Sequence, residues 1–173
     1  GMSVVMVDLS PKVVDAAAAL VDESVAKPLI ADLADPAWIE ALEAATTGME
    51  VGLAVANAGV AFVGRYLDMD PARRRAILDV NCVATADLAT WALPAMVEQG
   101  RGGFVATSSG SALAGPGGVA LYSATKAFSV NLIEALGWEL ADSGIDTLAV
   151  VAPTMDTPMF RSGGADLERA FAS

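Results

Sequence analysis

The sequence predicts an α/β fold with a doubly wound parallel sheet, and three observations point to it. Five apolar runs alternate with segments of helical character, each run is nearly continuous, and Asp8, Asp32, Asn57, Ser109 and Pro153 stand at or just past their carboxyl ends. Unbroken apolar strands belong in a parallel sheet covered by helices on both faces. Such sheets bind ligands outside the carboxyl ends of their strands, where these five residues fall. A chain of 173 residues is the size of one domain with a substantial core. Residues 1–173 therefore read as a single domain, without a linker or internal repeat.

The elements follow in order. Val4 to Val7 is a short strand ended by Asp8, and Pro11 opens the Ala-rich helix VVDAAAALVDE, which has strong helix propensity. Lys27 to Ala31 is the second strand, with Asp32-Leu33 after it. Pro36 starts a helix over WIEALEAA that Gly48 ends. Val51 to Ala56 is the third strand and stops at the turn Asn57-Ala58-Gly59. Asp70-Pro71 caps a long helix to about Glu98, with Asn81 and Cys82 inside it and Pro94 expected to bend or end it. Phe104 to Thr107 is the fourth strand, 122–143 the next helix, and Thr147 to Ala152 the last strand. From Thr154 the sequence reads as a loop with a short helix.

Composition narrows the chemistry. With 10 Lys and Arg against 21 Asp and Glu, the formal charge of −11 repels phosphate backbones, so nucleic acid is not an expected partner. Charged or polar residues interrupt each apolar segment short of a membrane span of roughly 20 residues. No charged-then-apolar leader opens the chain, and the cytoplasm is the expected location. Cys82 is the only cysteine, which excludes an internal disulfide, a CxxC pair and a Cys-rich metal site; a buried helical position is expected for it. The chain has no His, so imidazole metal ligation, His-based proton transfer and a Ser-His-Asp triad are all excluded.

Phe104 to Lys126, FVATSSGSALAGPGGVALYSATK, holds the residues that could act instead. Tyr122 and Lys126 are four apart, just over one helical turn, and so share a helix face. Ser109 lies thirteen residues before Tyr122, in the loop after a strand. A hydroxyl, a phenol and an ammonium converging there could move a proton to or from a substrate oxygen. An isolated Tyr and Lys at this spacing is more often a surface contact, and Asp8 and Asp32 serve equally as helix caps. Asn57 suits a turn as well as a ligand contact.

Four features in this order resemble the short-chain dehydrogenase/reductase superfamily over essentially the whole chain. They are Asn57-Ala58-Gly59, Asn81 in DVNCVA, Ser109, and the Tyr-x-x-x-Lys of YSATK at 122–126. The resemblance implies a Rossmann-like sheet and an oxidoreductase that transfers hydride between a nicotinamide cofactor and an alcohol or carbonyl compound. Tyr122 would be the acid/base, Lys126 would lower its pKa and bind the nicotinamide ribose, Ser109 would orient the substrate oxygen, and Asn81 would hold a water. Cofactor contacts would come from Asp8, Asp32, Leu33, Asn57, Ala58, Gly59, Tyr122, Lys126 and Thr157. Asp8 would favour NAD over NADP by repelling a 2′-phosphate.

The family's opening strand with its Thr-Gly-x-x-x-Gly-x-Gly turn is not in the sequence, and neither is its final strand, so the chain reads as truncated at both ends. The resemblance places the first strand between the strands that end at Asp8 and Ala56. Three ways of filling that gap stay open: a rearranged register, a strand from another subunit, or direct closure of those two strands. Pro153 also stands where the family has Gly, while Thr157 matches its carboxamide-binding Thr. A homo-oligomer, dimer or tetramer, is implied through the helices at 71–98 and 122–143, with Trp91, Phe128 and Trp138 as anchors. Against this enzyme stand a degenerate, non-catalytic oligomer or binding module and, more distantly, a serine hydrolase, for which no Gly-x-Ser-x-Gly elbow is present.

Overall fold

Short parallel strands with near-continuous apolar sequence pair in two separate ladders. The computed structural model describes residues 3–12, 14–15, 19 and 25–153, and the chain divides into two units, Gly1–Val51 and Gly52–Ser173. Thr157 and Arg161 lie outside the described residues.

In the first unit β1 (Val4–Asp8) pairs in parallel with β2 (Ala26–Ile30), Val4 opposite Ala26 and Asp8 opposite Ile30. Pro28 lacks an N–H, which suits the edge position of β2. Helix α1 (Trp38–Thr46) buries Trp38 and Leu42, and Lys27 Nζ donates to the Ala45 carbonyl at 2.7 Å. The expected helix after Pro11 is present at Lys12, Val14, Asp15 and Ala19. Asp8 does not cap it directly: Asp8 Oδ1 accepts from Ser10 N at 2.7 Å, and Ser10 Oγ in turn accepts from Lys12 N. Asp32 likewise closes its own turn onto Ala34 N, and it is Asp35 that accepts from Ala37 N ahead of α1. Both acids are engaged two residues downstream because a short carboxylate reaches its own turn first.

The second unit is built on β3 (Leu53–Ala56), β4 (Gly102–Ser109) and β5 (Ile145–Ala152), all parallel with β4 central. Among the described residues β1 pairs with β2, and β3 pairs with β4. Helix α2 (Pro71–Leu78) starts as expected, with Pro71 at its first position and Asp70 Oδ1 accepting from Ala72 N at 2.7 Å. It runs through a π-helical turn, Asp79–Val83, into α3 (Ala84–Gln99). Pro94 neither bends the chain out of helix nor ends it; the helix reaches Gln99, and Gly100 stops it in the left-handed region at φ 66. A one-turn helix, α4 (Ser111–Ala114), and the long α5 (Ala120–Glu139) follow β4.

Residues alternate across a strand, so Phe104, Ala106 and Ser108 point to one face of β4, and all are buried. Helices α3 and α5 cover this face. Phe104, Ile77 and Met96 are each less than 2% exposed, and burial of a side chain of this size stabilises by about 1.5–3 kcal/mol. The other face carries Leu53, Val55, Leu148 and Val150, which are 41–56% exposed. The expected helical cover on that side is not supplied by the described residues of this unit. Continuous helix from Pro71 to Gln99 is also long and apolar enough to cross a membrane by length and composition, contrary to the expectation that no segment reaches that length. Its Ala89, Ala92, Leu93 and Met96 are buried against this sheet, as in the core helix of a globular domain.

Candidate active site

Ser109 is the last residue of β4 and Tyr122 and Lys126 lie in the first two turns of α5. The sequence places them thirteen residues apart, and the fold brings them together by turning the chain back through α4. The Ser109 hydroxyl acts on the Tyr122 phenol in the sense that favours its ionised form. Lys126 Nζ sits 5.8 Å from the centre of the Tyr122 ring and donates to the Thr107 carbonyl at 2.7 Å. Ser108 Oγ donates to the Lys126 carbonyl at 2.7 Å, which pins the base of α5 to the end of β4.

Burial pushes the Tyr122 phenol above its ordinary value, and the Ser109 hydroxyl works the other way. Burial also pulls the Lys126 ammonium down, opposed by the neighbouring Cys82. The phenol is desolvated, and the ammonium of Lys126 donates to a backbone carbonyl. The hydroxyl of Ser109 favours phenolate against that burial.

Asn81 lies in the π turn, 1% exposed. Its Nδ2 donates to the Val60 carbonyl and to Thr125 Oγ1, both at 2.9 Å, and its Oδ1 accepts from Val60 N at 2.9 Å. Both amide hydrogens are therefore used by protein groups, and one lone pair on Oδ1 remains. The side chain works as a clamp between the 57–60 turn and α5, with Thr125 Oγ1 passing the connection to the Tyr122 carbonyl at 2.7 Å. An extra residue in a helical turn re-aims the side chains within it, and here it presents Asn81 to Val60.

Asn57, Ala58 and Gly59 follow β3. Asn57 Oδ1 accepts from Thr107 Oγ1 at 2.9 Å. A Cβ on Gly59 would stand 3.3 Å from Lys126 Nζ and 3.4 Å from Asn81 Oδ1, so the turn lies close against the ammonium and a side chain here would require it to shift by a few tenths of an ångström. Asp8, Asp32 and Leu33 belong to the first unit, at and just past its strand ends. Cys82, expected to be buried, is only partly so; burial raises its thiol and Lys126 opposes that rise. Thr107, Ser108, Ser111 and Thr125 join the site without having been singled out by sequence, although all four lie inside the stretch from Phe104 to Lys126.

No group of three or more metal-ligating side chains occurs among the described residues. A hydroxyl, a phenol and an ammonium thus stand at the carboxyl edge of a parallel sheet in a Ser-Tyr-Lys arrangement. The chain belongs to the short chain dehydrogenase family, whose model matches residues 1–168. It is 32% identical over 171 residues to oxidoreductase UcpA of Escherichia coli strain K12, covering 94% of this chain and 63% of that protein. The chain thus spans less than two thirds of that relative. Among solved structures it is similar to a short-chain dehydrogenase from Sphingobium yanoikuyae in complex with NADPH, with TM-score 0.88, 31% identity and coverage of 98% of this chain and 68% of that one. It is also similar to a 3-ketoacyl-(acyl-carrier-protein) reductase from Brucella melitensis complexed with NADH, with TM-score 0.86, 26% identity and coverage of 93% and 69%.

Proposed function

We propose that this chain carries the proton-transfer site of a nicotinamide-dependent reductase of carbonyl compounds, run at neutral pH from carbonyl to alcohol. The observation that carries the reading is the placing of Ser109 at the last position of β4 with Tyr122 and Lys126 in the first two turns of α5, Lys126 Nζ 5.8 Å from the centre of a phenol ring that burial holds protonated. A protonated phenol is a general acid, and it donates to the substrate oxygen as that oxygen gains negative charge. Ser109 orients the oxygen and shares the developing charge. Lys126 stays anchored to Thr107 and offers its remaining hydrogens to a ribose hydroxyl. Gly59 leaves the room this needs. The residues present suit the nicotinamide end of the cofactor; when bound, that cofactor supplies the hydride. The described residues of the second unit, and Asn57 within it, give no glycine-rich cradle for the pyrophosphate.

The pH profile follows from the direction of the shift. Tyr122 titrates above its ordinary value near 10, so it is protonated throughout the neutral range. Carbonyl reduction, followed as kcat/KM, is expected to be flat there and to fall by about tenfold per pH unit once pH passes the Tyr122 pKa. Alcohol oxidation, which needs phenolate, should climb with pH over the same neutral range. A reduction rate that rises with pH would sink the assignment of Tyr122 as acid.

NAD is the proposed cofactor, on the strength of Asp8. Its Oδ1 is held by Ser10 N, and a carboxylate at a strand end welcomes ribose hydroxyls while repelling a 2′-phosphate. NADH is expected to bind at least about tenfold more tightly than NADPH, and Asp8→Ser to narrow that gap, by fluorescence titration. Equal affinity of the parent protein for the two would remove Asp8 from the site. A cytoplasmic homo-oligomer joined through α3 and α5 accompanies this reading, supported by Trp138, which is 85% exposed on α5. Sedimentation of Trp138→Asp against the parent protein tests it, with dissociation to a smaller species expected.

A further inference from the structure

Ser109 has a second neighbour besides Tyr122. Ser111, the first residue of α4, donates its backbone N–H to Ser109 Oγ at 3.3 Å, and its own hydroxyl donates to the same oxygen at 3.2 Å. Gly110 between them sits in the right-handed helical region, and its N–H is taken by the Ala152 carbonyl at 2.9 Å. That bond fixes the turn, so Ser111 is held over Ser109 by backbone geometry rather than by side-chain choice.

A hydroxyl has one hydrogen and two acceptor lone pairs. With both lone pairs of Ser109 Oγ taken by Ser111, its single hydrogen is left for another acceptor, such as the phenol or a substrate oxygen. We propose that Ser111 is a positioning residue for the reaction: it orients the Ser109 hydroxyl as a donor and so, through Ser109, tunes the acidity of Tyr122. The inference rests on the proton-transfer site proposed above and deepens it. Without Ser111's hydroxyl, the Ser109 hydrogen can rotate into the vacated direction and spends less of its time on the phenol. The same substitution leaves the Ser111 N–H in place, so the loss should be partial, smaller than deletion of Ser109 itself.

Among the described residues, the groups that could confound a titration of Tyr122 are few. Lys126 faces it from the same helix, Cys82 acts on Lys126 from the π turn, Ser109 approaches from β4, and α4 carries no ionisable residue. The chain has only two tyrosines, Tyr66 and Tyr122, so in a Tyr66→Phe background the rise of tyrosinate absorbance with pH reports Tyr122 alone. This readout needs neither substrate nor turnover.

In that background Ser109→Ala should raise the midpoint by about one pH unit, and Ser111→Ala should raise it in the same direction by about half a unit. Ser111→Thr, which keeps a hydroxyl, should restore the parent midpoint, which a general disturbance of α4 would not do. A shift with Ser109→Ala but none with Ser111→Ala would overturn the role of Ser111 and leave the site itself standing. A downward shift with Ser111→Ala would show that Ser109 instead donates to Ser111, and would overturn it as well. No shift with Ser109→Ala would remove the Ser109–Tyr122 coupling, and the proposal with it.

Discussion

Replacing Tyr122 with Phe is expected to cut carbonyl reduction by about 10²–10⁴-fold, the usual worth of a positioned general acid, while leaving nicotinamide affinity within about threefold of the parent. The reason is geometric. The ring is half-buried, and Lys126 reaches Thr107 independently of the phenol. Phe keeps the ring and its packing and loses only the proton. Stopped-flow turnover with a ketone, paired with a binding titration by NADH, separates the two quantities. A fall in binding that matches the fall in rate would mean that Tyr122 holds the cofactor rather than moves a proton.

The largest effect on stability is expected from Asn81→Ala. The substitution removes three hydrogen bonds at once, two to Val60 and one to Thr125, inside a region where Asn81 and Thr125 are each 1% exposed. Backbone N–H and C=O groups at Val60 and the Thr125 hydroxyl would be left seeking partners, and a cavity would open beside them. Unpartnered buried groups cost about 1–3 kcal/mol each, though a shifted turn recovers part of that. A loss of about 2–4 kcal/mol is the reasonable sum, read by urea unfolding followed through Trp fluorescence. Rates should fall too, because Thr125 links this clamp to the Tyr122 carbonyl. A change below about 0.5 kcal/mol, typical of ordinary surface positions, would mean that the 57–60 turn is held by something else.

The sequence made part of this site legible and hid the rest for definable reasons. Tyr122 and Lys126 could be placed because helical periodicity is a local property, and Asp70-Pro71 could be read as a helix start for the same reason. Ser109 was found through its spacing from Tyr122 within a recognisable family pattern. The π turn at Asp79–Val83 could not be, since it leaves no mark in residue type, and so the bonds of the Asn81 side chain to Val60, 21 residues away, are not legible in the sequence. Lys126 reads in sequence as the i,i+4 partner of Tyr122. In the fold its acceptor is a backbone carbonyl, that of Thr107, and backbone acceptors carry no sequence signature. Ser111 was passed over because a Ser in a Gly-rich loop is common; only its approach to Ser109 from two atoms sets it apart.

The fold divides in the same way. Strand existence and order were readable from apolar runs, and the observed strands differ from expectation by only a few residues, most visibly in β4, which begins at Gly102 and ends at Ser109 rather than Thr107. The pairing between strands was less so. The two ladders, and the exposed face that carries Leu53, Val55, Leu148 and Val150, depend on contacts distant in sequence that periodicity does not encode.

The central claim, that this site couples proton donation by Tyr122 to hydride transfer onto a carbonyl carbon, is tested most directly by isotope transfer. The protein would be incubated with NADH deuterated at C4 of the nicotinamide, in each of its two stereochemical forms, and with a panel of aldehydes and ketones, and the alcohols analysed by mass spectrometry. The prediction is deuterium on the carbinol carbon from one form of the cofactor and not the other, lost with Tyr122→Phe. Saturable binding of NADH with no deuterium in any product would contradict it and would favour a binding module that has kept the site's architecture without its chemistry.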